Sequence, residues 1–89
     1  MSWGYEFDAR ALKELGKLDR QAQKEIIRYL DSRIAKKNET PRRFGKALTG
    51  DLKGLWRYRV GDYRLICSVE DKRLVVLVLR VGHRRDVYD

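Results

Sequence analysis

The apolar pattern of this chain changes period once, and that change limits what it can fold into. Between Ala9 and Ala35 apolar residues recur at helical spacing; from Leu55 to Val81 they alternate. The first pattern is that of an amphipathic helix, the second that of a half-buried strand. Between them, residues 38 to 54 carry the only proline, Pro41, three of the seven glycines and the basic run Pro41-Arg42-Arg43-Phe44-Gly45-Lys46. That composition marks a connector, for which Leu48 is the expected apolar anchor.

Ahead of the helical region, Trp3, Tyr5 and Phe7 alternate and predict a first strand. Asp8 is placed to cap a helix carrying Ala9, Leu12, Leu15 and Leu18, and Asp19 to cap a second. The second helix presents Ile26, Ile27, Tyr29, Leu30, Ile34 and Ala35 as one stripe and is expected to fray by Asn38. Three strands follow, Leu55–Val60, Tyr63–Glu70 and Arg73–Val81, broken by Gly61-Asp62 and Asp71-Lys72. The predicted class is α+β: an N-terminal strand, an antiparallel helical hairpin, then a three-stranded antiparallel meander. The helices cover one face of the sheet and leave a basic open face.

With 89 residues the chain is read as one domain, residues 1–89. Lys and Arg total 21 against 13 Asp and Glu, a formal charge of +8 that points to a polyanionic partner. A single cysteine, Cys67, excludes an internal disulfide and a Cys-rich metal site, and fits a reducing cytoplasm. The longest apolar run, Leu74 to Leu79, is far short of the roughly 20 residues that span a bilayer, so no membrane role is expected.

If Gly61-Asp62 is a two-residue turn, Val60 lies opposite Tyr63, Arg59 opposite Arg64, Tyr58 opposite Leu65 and Arg57 opposite Ile66. Arg57, Arg59 and Arg64 then share one face, while Trp56, Tyr58, Val60, Tyr63 and Leu65 point toward the helices. Like charges directly across a strand pair are destabilising, so the fold gains nothing from this trio; a bound polyanion would reverse the sign. An ordinary solvated face is the competing reading. The tail after the last strand adds the only histidine, His83, with Arg84, Arg85 and Tyr88.

Arginines of this kind suit the charge on a crowded phosphorane, as formed when an RNA 2′-hydroxyl attacks the adjacent phosphate. One histidine rules out a paired-imidazole mechanism. The scattered carboxylates suggest no two-metal site, so metal-independent chemistry without a cofactor is expected. Cys67 reads as packing, and Tyr88 as a residue that could stack on a base or meet the ribose.

The whole chain resembles the RelE-type toxins of bacterial type II toxin–antitoxin systems, within the wider RelE/ParE superfamily. The resemblance rests on Phe7-Asp8-Ala9-Arg10-Ala11-Leu12-Lys13 with Leu15 and Lys17-Leu18, on Leu48-Thr49-Gly50, on Gly61-Asp62-Tyr63-Arg64-Leu65-Ile66, and on Val81-Gly82-His83-Arg84 with Val87-Tyr88. It implies a ribosome-dependent endonuclease, acting on mRNA in the A site beside 16S rRNA. It also implies a RelB-like antitoxin that holds the toxin inactive in a hetero-oligomer. Carried over by position, it makes Arg64, Arg84 and Tyr88 catalytic. Arg57 and Arg59 take the place of a lysine pair that contacts RNA and ribosome, and Lys53 and Arg85 join them as binding candidates. Because guanidinium does not readily deprotonate, His83 is the alternative proton carrier. A ParE-like inhibitor of DNA gyrase and a non-catalytic RNA-binding module are the competing functions.

Overall fold

The computed structural model describes residues 2–36 and 39–87. Strand β1 (Gly4–Phe7) leads to helix α1 (Ala9–Gly16) and helix α2 (Arg20–Leu30), followed by β2 (Lys46–Ala47), β3 (Trp56–Val60), β4 (Tyr63–Glu70) and β5 (Val75–His83). Both helices start where the caps predict. Asp8 accepts the Ala11 N–H and Asp19 the Ala22 N–H, each at 2.8 Å, satisfying donors a helix start leaves orphaned. Beyond Leu30 the helix widens into a π turn, Asp31–Ala35; the fraying point expected at Asn38 lies outside the described residues.

The five strands form one sheet in the order β1-β5-β4-β3-β2. The meander β3-β4-β5 is antiparallel, as read from the sequence, but β1 joins it in parallel beside β5, with Gly4 opposite Val75. Several boundaries differ from the sequence reading: β3 starts at Trp56 rather than Leu55, and β5 runs past Val81 to His83, which takes His83 out of the tail and into the strand. The β4–β5 connection spans four residues, with Glu70 opposite Val75 and Leu74 at φ 55°, so β5 starts at Val75 rather than Arg73. Arg73 is drawn out of the strand by ion pairs to Glu6 (2.8 Å) and Glu70 (2.7 Å). Within the connector, Lys46–Ala47 pairs with Arg57 and Trp56 as a two-residue edge strand too short to leave a period in the sequence.

The main core lies between the helices and one sheet face. Ala11, Leu15, Ile26, Leu30 and Ile34 pack on Tyr58, Val60, Leu65, Cys67, Val76, Val78 and Val81. Cys67 is fully buried and desolvation drives its thiol pKa upward, which makes it a packing residue rather than a nucleophile. Tyr58 anchors the connector, donating its buried hydroxyl to the Pro41 carbonyl at 2.9 Å.

β5 carries a bulge. Ile66 pairs with Arg80 but Cys67 with Val78, so Leu79 has no partner on β4. One unmatched residue inverts the side-chain alternation, and Val81 therefore joins Val76 and Val78 in the main core. The Val81 N–H donates to Glu14 Oε1 at 2.8 Å, and the same carboxylate accepts Arg80 Nε at 3.1 Å. Glu14 on α1 thus ties the helix to the irregular point of the strand.

Candidate functional site

The β3–β4 hairpin has the register its turn dictates: Val60 opposite Tyr63, Arg59 opposite Arg64, Arg57 opposite Ile66. Gly61 at φ 58° supplies the left-handed conformation such a turn requires. Arg57, Arg59 and Arg64 therefore share the face away from the helices, but that face is not open along its length. Leu48, Ile66 and Val87, flanked by Leu52 and Leu55, form a second small apolar cluster on it. The connector and the C-terminal tail fold over the sheet because Ile66 would otherwise expose its side chain to water.

Arg64 is buried beneath this cover, only 3% exposed, and its Nη1 donates to the carbonyls of Gly61 (3.0 Å) and Tyr63 (2.9 Å). A buried guanidinium needs such acceptors. In this state Arg64 braces the hairpin tip instead of presenting its fork to solvent, which corrects the expectation of three solvent-facing guanidiniums. Arg57 is half-buried and Arg59 exposed. Lys53 is exposed just after the turn at Gly50–Leu52, with its backbone N–H on the Gly50 carbonyl at 3.1 Å.

The tail is tied to the same hairpin tip. The Arg84 N–H donates to the Asp62 carbonyl at 2.8 Å, and its exposed guanidinium stands 4.0 Å from the Asp62 carboxylate. Arg85 is exposed beside it. Asp86 and Val87 then donate back to the His83 carbonyl at 2.8 and 3.1 Å, and the chain returns across the sheet with Val87 seated on Gly82. A Cβ at Gly82 would stand 2.4 Å from Val87 Cγ2, so only glycine permits this crossing. Gly82 lies opposite Arg64, which aligns Arg59, Arg64 and Gly82 across three strands, with the returning tail over Gly82 and Arg59 exposed at the far end of the row.

His83 departs from the sequence expectation. Opposite Tyr63, it belongs to the helix-facing side, and its ring meets the Tyr63 ring edge-on at 5.8 Å. The bulge at Leu79 is the cause: without it, strict alternation would turn His83 toward the arginines. Its Nδ1 accepts the Arg85 N–H at 3.2 Å, which leaves the proton of the neutral ring on Nε2. The structure thus gathers Arg57, Arg59, Arg64 and Arg84 around one hairpin and sets His83 behind them as a fastener of the tail. Tyr88 lies outside the described residues. Among the described residues no three His, Cys, Asp or Glu side chains group as a metal site would need, and no helix is long and apolar enough to cross a membrane.

Sequence reasoning gave no physical role to Gly82 or Glu14. A glycine inside an apolar strand pattern signals close approach by another chain segment, and that signal was available at Gly82. Glu14 left none, because its role depends on a bulge.

A model of the ParE toxin family of type II toxin–antitoxin systems, parDE, matches residues 5–88. The chain belongs to this toxin family. It is 31% identical to toxin RelG of Mycobacterium tuberculosis over 88 residues, covering 99% of this toxin and 98% of the relative. Among solved structures it is similar to a chain of the toxin–antitoxin complex RelBE2 of M. tuberculosis, with TM-score 0.84 and 29% identity over 97% of this toxin and 95% of that chain. It is also similar to a chain of the archaeal RelE–RelB complex of Pyrococcus horikoshii, with TM-score 0.69 and 28% identity over 98% of this toxin and all of that chain. The toxin is therefore a member of the RelE/ParE superfamily with the α+β fold of RelE toxins.

Proposed function

We propose that this toxin is a cytoplasmic, ribosome-dependent endoribonuclease that cuts mRNA in the A site and so blocks translation. A RelB-like antitoxin neutralises it in a hetero-oligomer. The observation that carries this reading is the pairing of Arg84 with the hairpin tip, which places an exposed guanidinium beside the face that bears Arg57 and Arg59. Relatives solved as toxin–antitoxin complexes support the antitoxin partner.

Cleavage proceeds by attack of the ribose 2′-oxygen on the adjacent phosphorus, breaking the bond to the 5′-oxygen and leaving a 2′,3′-cyclic phosphate and a 5′-hydroxyl; solvent water takes the 2′-hydroxyl proton and supplies the one that the 5′-oxygen gains. Arg59 and Arg84 bind the non-bridging oxygens as charge accumulates on them, and Arg57 and Lys53 hold the strand. Arg64 keeps the hairpin tip in shape. His83 acts as a positioning residue, holding the turn that aims Arg84, while Arg85 contacts ribosomal RNA. Tyr88 stacks on the substrate base. No step requires a metal or cofactor.

Primer extension on mRNA translated in a cell-free system tests the reading, with naked RNA in chelator as the control. A-site cuts that need ribosomes and fall on the order of a hundredfold with Arg84→Lys are expected. Uncut mRNA overturns it. The second reading is inhibition of DNA gyrase, favoured by the match to the ParE model; loss of supercoiling activity in the presence of the toxin would establish it.

A further inference from the structure

The outward side of α2 carries Arg20, Lys24 and Arg28 four residues apart, and Lys36 stands past the π turn that extends the helix. Four residues of helix advance about 6 Å, so the three cations form a regular row. A groove of about 480 Å³ follows this side, and of its remaining polar groups Gln23 and Asp31 bond to the body of the protein while Ser32 bonds to the Tyr29 carbonyl. Gln23 donates to the carbonyls of Leu15 (3.1 Å) and Leu18 (3.0 Å). Asp31, the one acid among the described residues that line the groove, accepts the Tyr5 hydroxyl at 2.7 Å. Among the described residues, none of the four cations shares an ion pair.

A second hollow, of about 280 Å³, shares Arg28 and Ser32 with the first and continues to Arg33 and Arg59, with Glu25 as an acid on its wall, so that cations outnumber the acid three to one there. The row can reach Arg59 because β2 pairs only with Trp56 and Arg57, which leaves the far end of β3 as the sheet edge. The track therefore runs along α2 and turns at the hairpin toward the arginine face.

We propose that this track is a second RNA site, which binds the phosphate backbone of an A-form RNA helix while the arginine face holds the strand to be cut. The proposal rests on the reading of the protein as an RNA-cutting toxin for its choice of RNA. Cations spaced in a row suit successive phosphates on one strand. A protein helix is a poorer fit, because such a partner docks by an apolar stripe and Ile27 is the only apolar side chain among the described residues that line the main groove.

The test is binding of a fluorescent 16-base-pair RNA duplex by anisotropy across a salt series. It compares the wild type, the triple variant Arg20→Gln/Lys24→Gln/Arg28→Gln, and a control of equal charge loss, Lys13→Gln/Lys17→Gln/Lys72→Gln. Circular dichroism melting confirms that each is folded. Each phosphate contact contributes about 0.9 to the slope of log affinity against log salt, so the track variant should lose roughly two to three units of slope and the control less than one. Equal losses in the two variants overturn the proposal. So does a DNA duplex of the same sequence bound as tightly with the same slope loss, or a Glu-rich helical peptide that depends on the track more strongly than RNA does. Arg84→Lys separates this proposal from the cleavage reading: it should lower cutting on ribosomes on the order of a hundredfold and leave duplex binding intact. A wild type that binds duplex through the track but never cuts refutes the cleavage reading alone.

Discussion

Replacing Gly82 by alanine tests whether the returning tail is seated as described. The added Cβ would lie 2.4 Å from Val87 Cγ2, whereas ordinary contact begins at 3.4 Å, so the methyl must retreat by about 1 Å. Val87 is 5% exposed, packed with Leu48 and Ile66, and bonded through its N–H to the His83 carbonyl, so it cannot retreat without opening the small cluster. Overpacking of this kind costs about 1–3 kcal/mol. Alanine offsets up to about 1 kcal/mol by restricting the unfolded chain. A net destabilisation of about 1–2 kcal/mol follows for Gly82→Ala. With Val87→Ala in place the offending methyl is gone and only a 3.8 Å contact to its Cβ remains, so the same substitution should become neutral or slightly stabilising. Urea unfolding of the four proteins in this cycle measures the coupling, expected at about 1–3 kcal/mol. An equal effect of Gly82→Ala in both backgrounds would refute the seating of Val87 on Gly82.

Glu14→Ala should cost about 1–3 kcal/mol, since the Val81 N–H at the bulge loses its acceptor, while Glu14→Gln keeps an acceptor and should cost less; thermal or urea unfolding separates them. Burial and the Asp31 contact push the Tyr5 pKa from 10.0 up to about 12. The raised value means the folded state keeps its proton where the unfolded chain loses it. Tyr5 therefore supports folding fully below pH 10, and its contribution is lost as pH rises toward 12; in Tyr5→Phe the fall in stability over that window should be shallower. Cys67 should resist thiol reagents in the native protein and react at the rate of opening, so rapid modification under native conditions would contradict its burial. His83→Gln should retain measurable A-site cutting, because it fastens the tail without meeting the scissile bond; complete loss with an unchanged melting temperature would restore a proton-transfer role.

Local chemistry determined what a sequence can encode within a few residues. Asp8 and Asp19 each stand one residue ahead of an apolar stripe, and a cap needs no more than that. Gly61-Asp62 sets a two-residue turn, and the turn sets the register that carries Arg57, Arg59 and Arg64 to one face. Tertiary structure decided what depends on partners distant in the chain. Nothing local specifies that β1 pairs in parallel with β5, since that pairing forms only after the intervening residues have folded. The bulge at Leu79 sits in a continuous apolar run, where alternation gives no phase, and it alone moves His83 to the far side of the sheet. Arg64 is on the face its position in the strand demands, but whether that face meets water was decided by Leu48 and Val87 folding across it. Alternation along a strand tells which side a residue takes; only the packing of the rest of the chain tells what that side will touch.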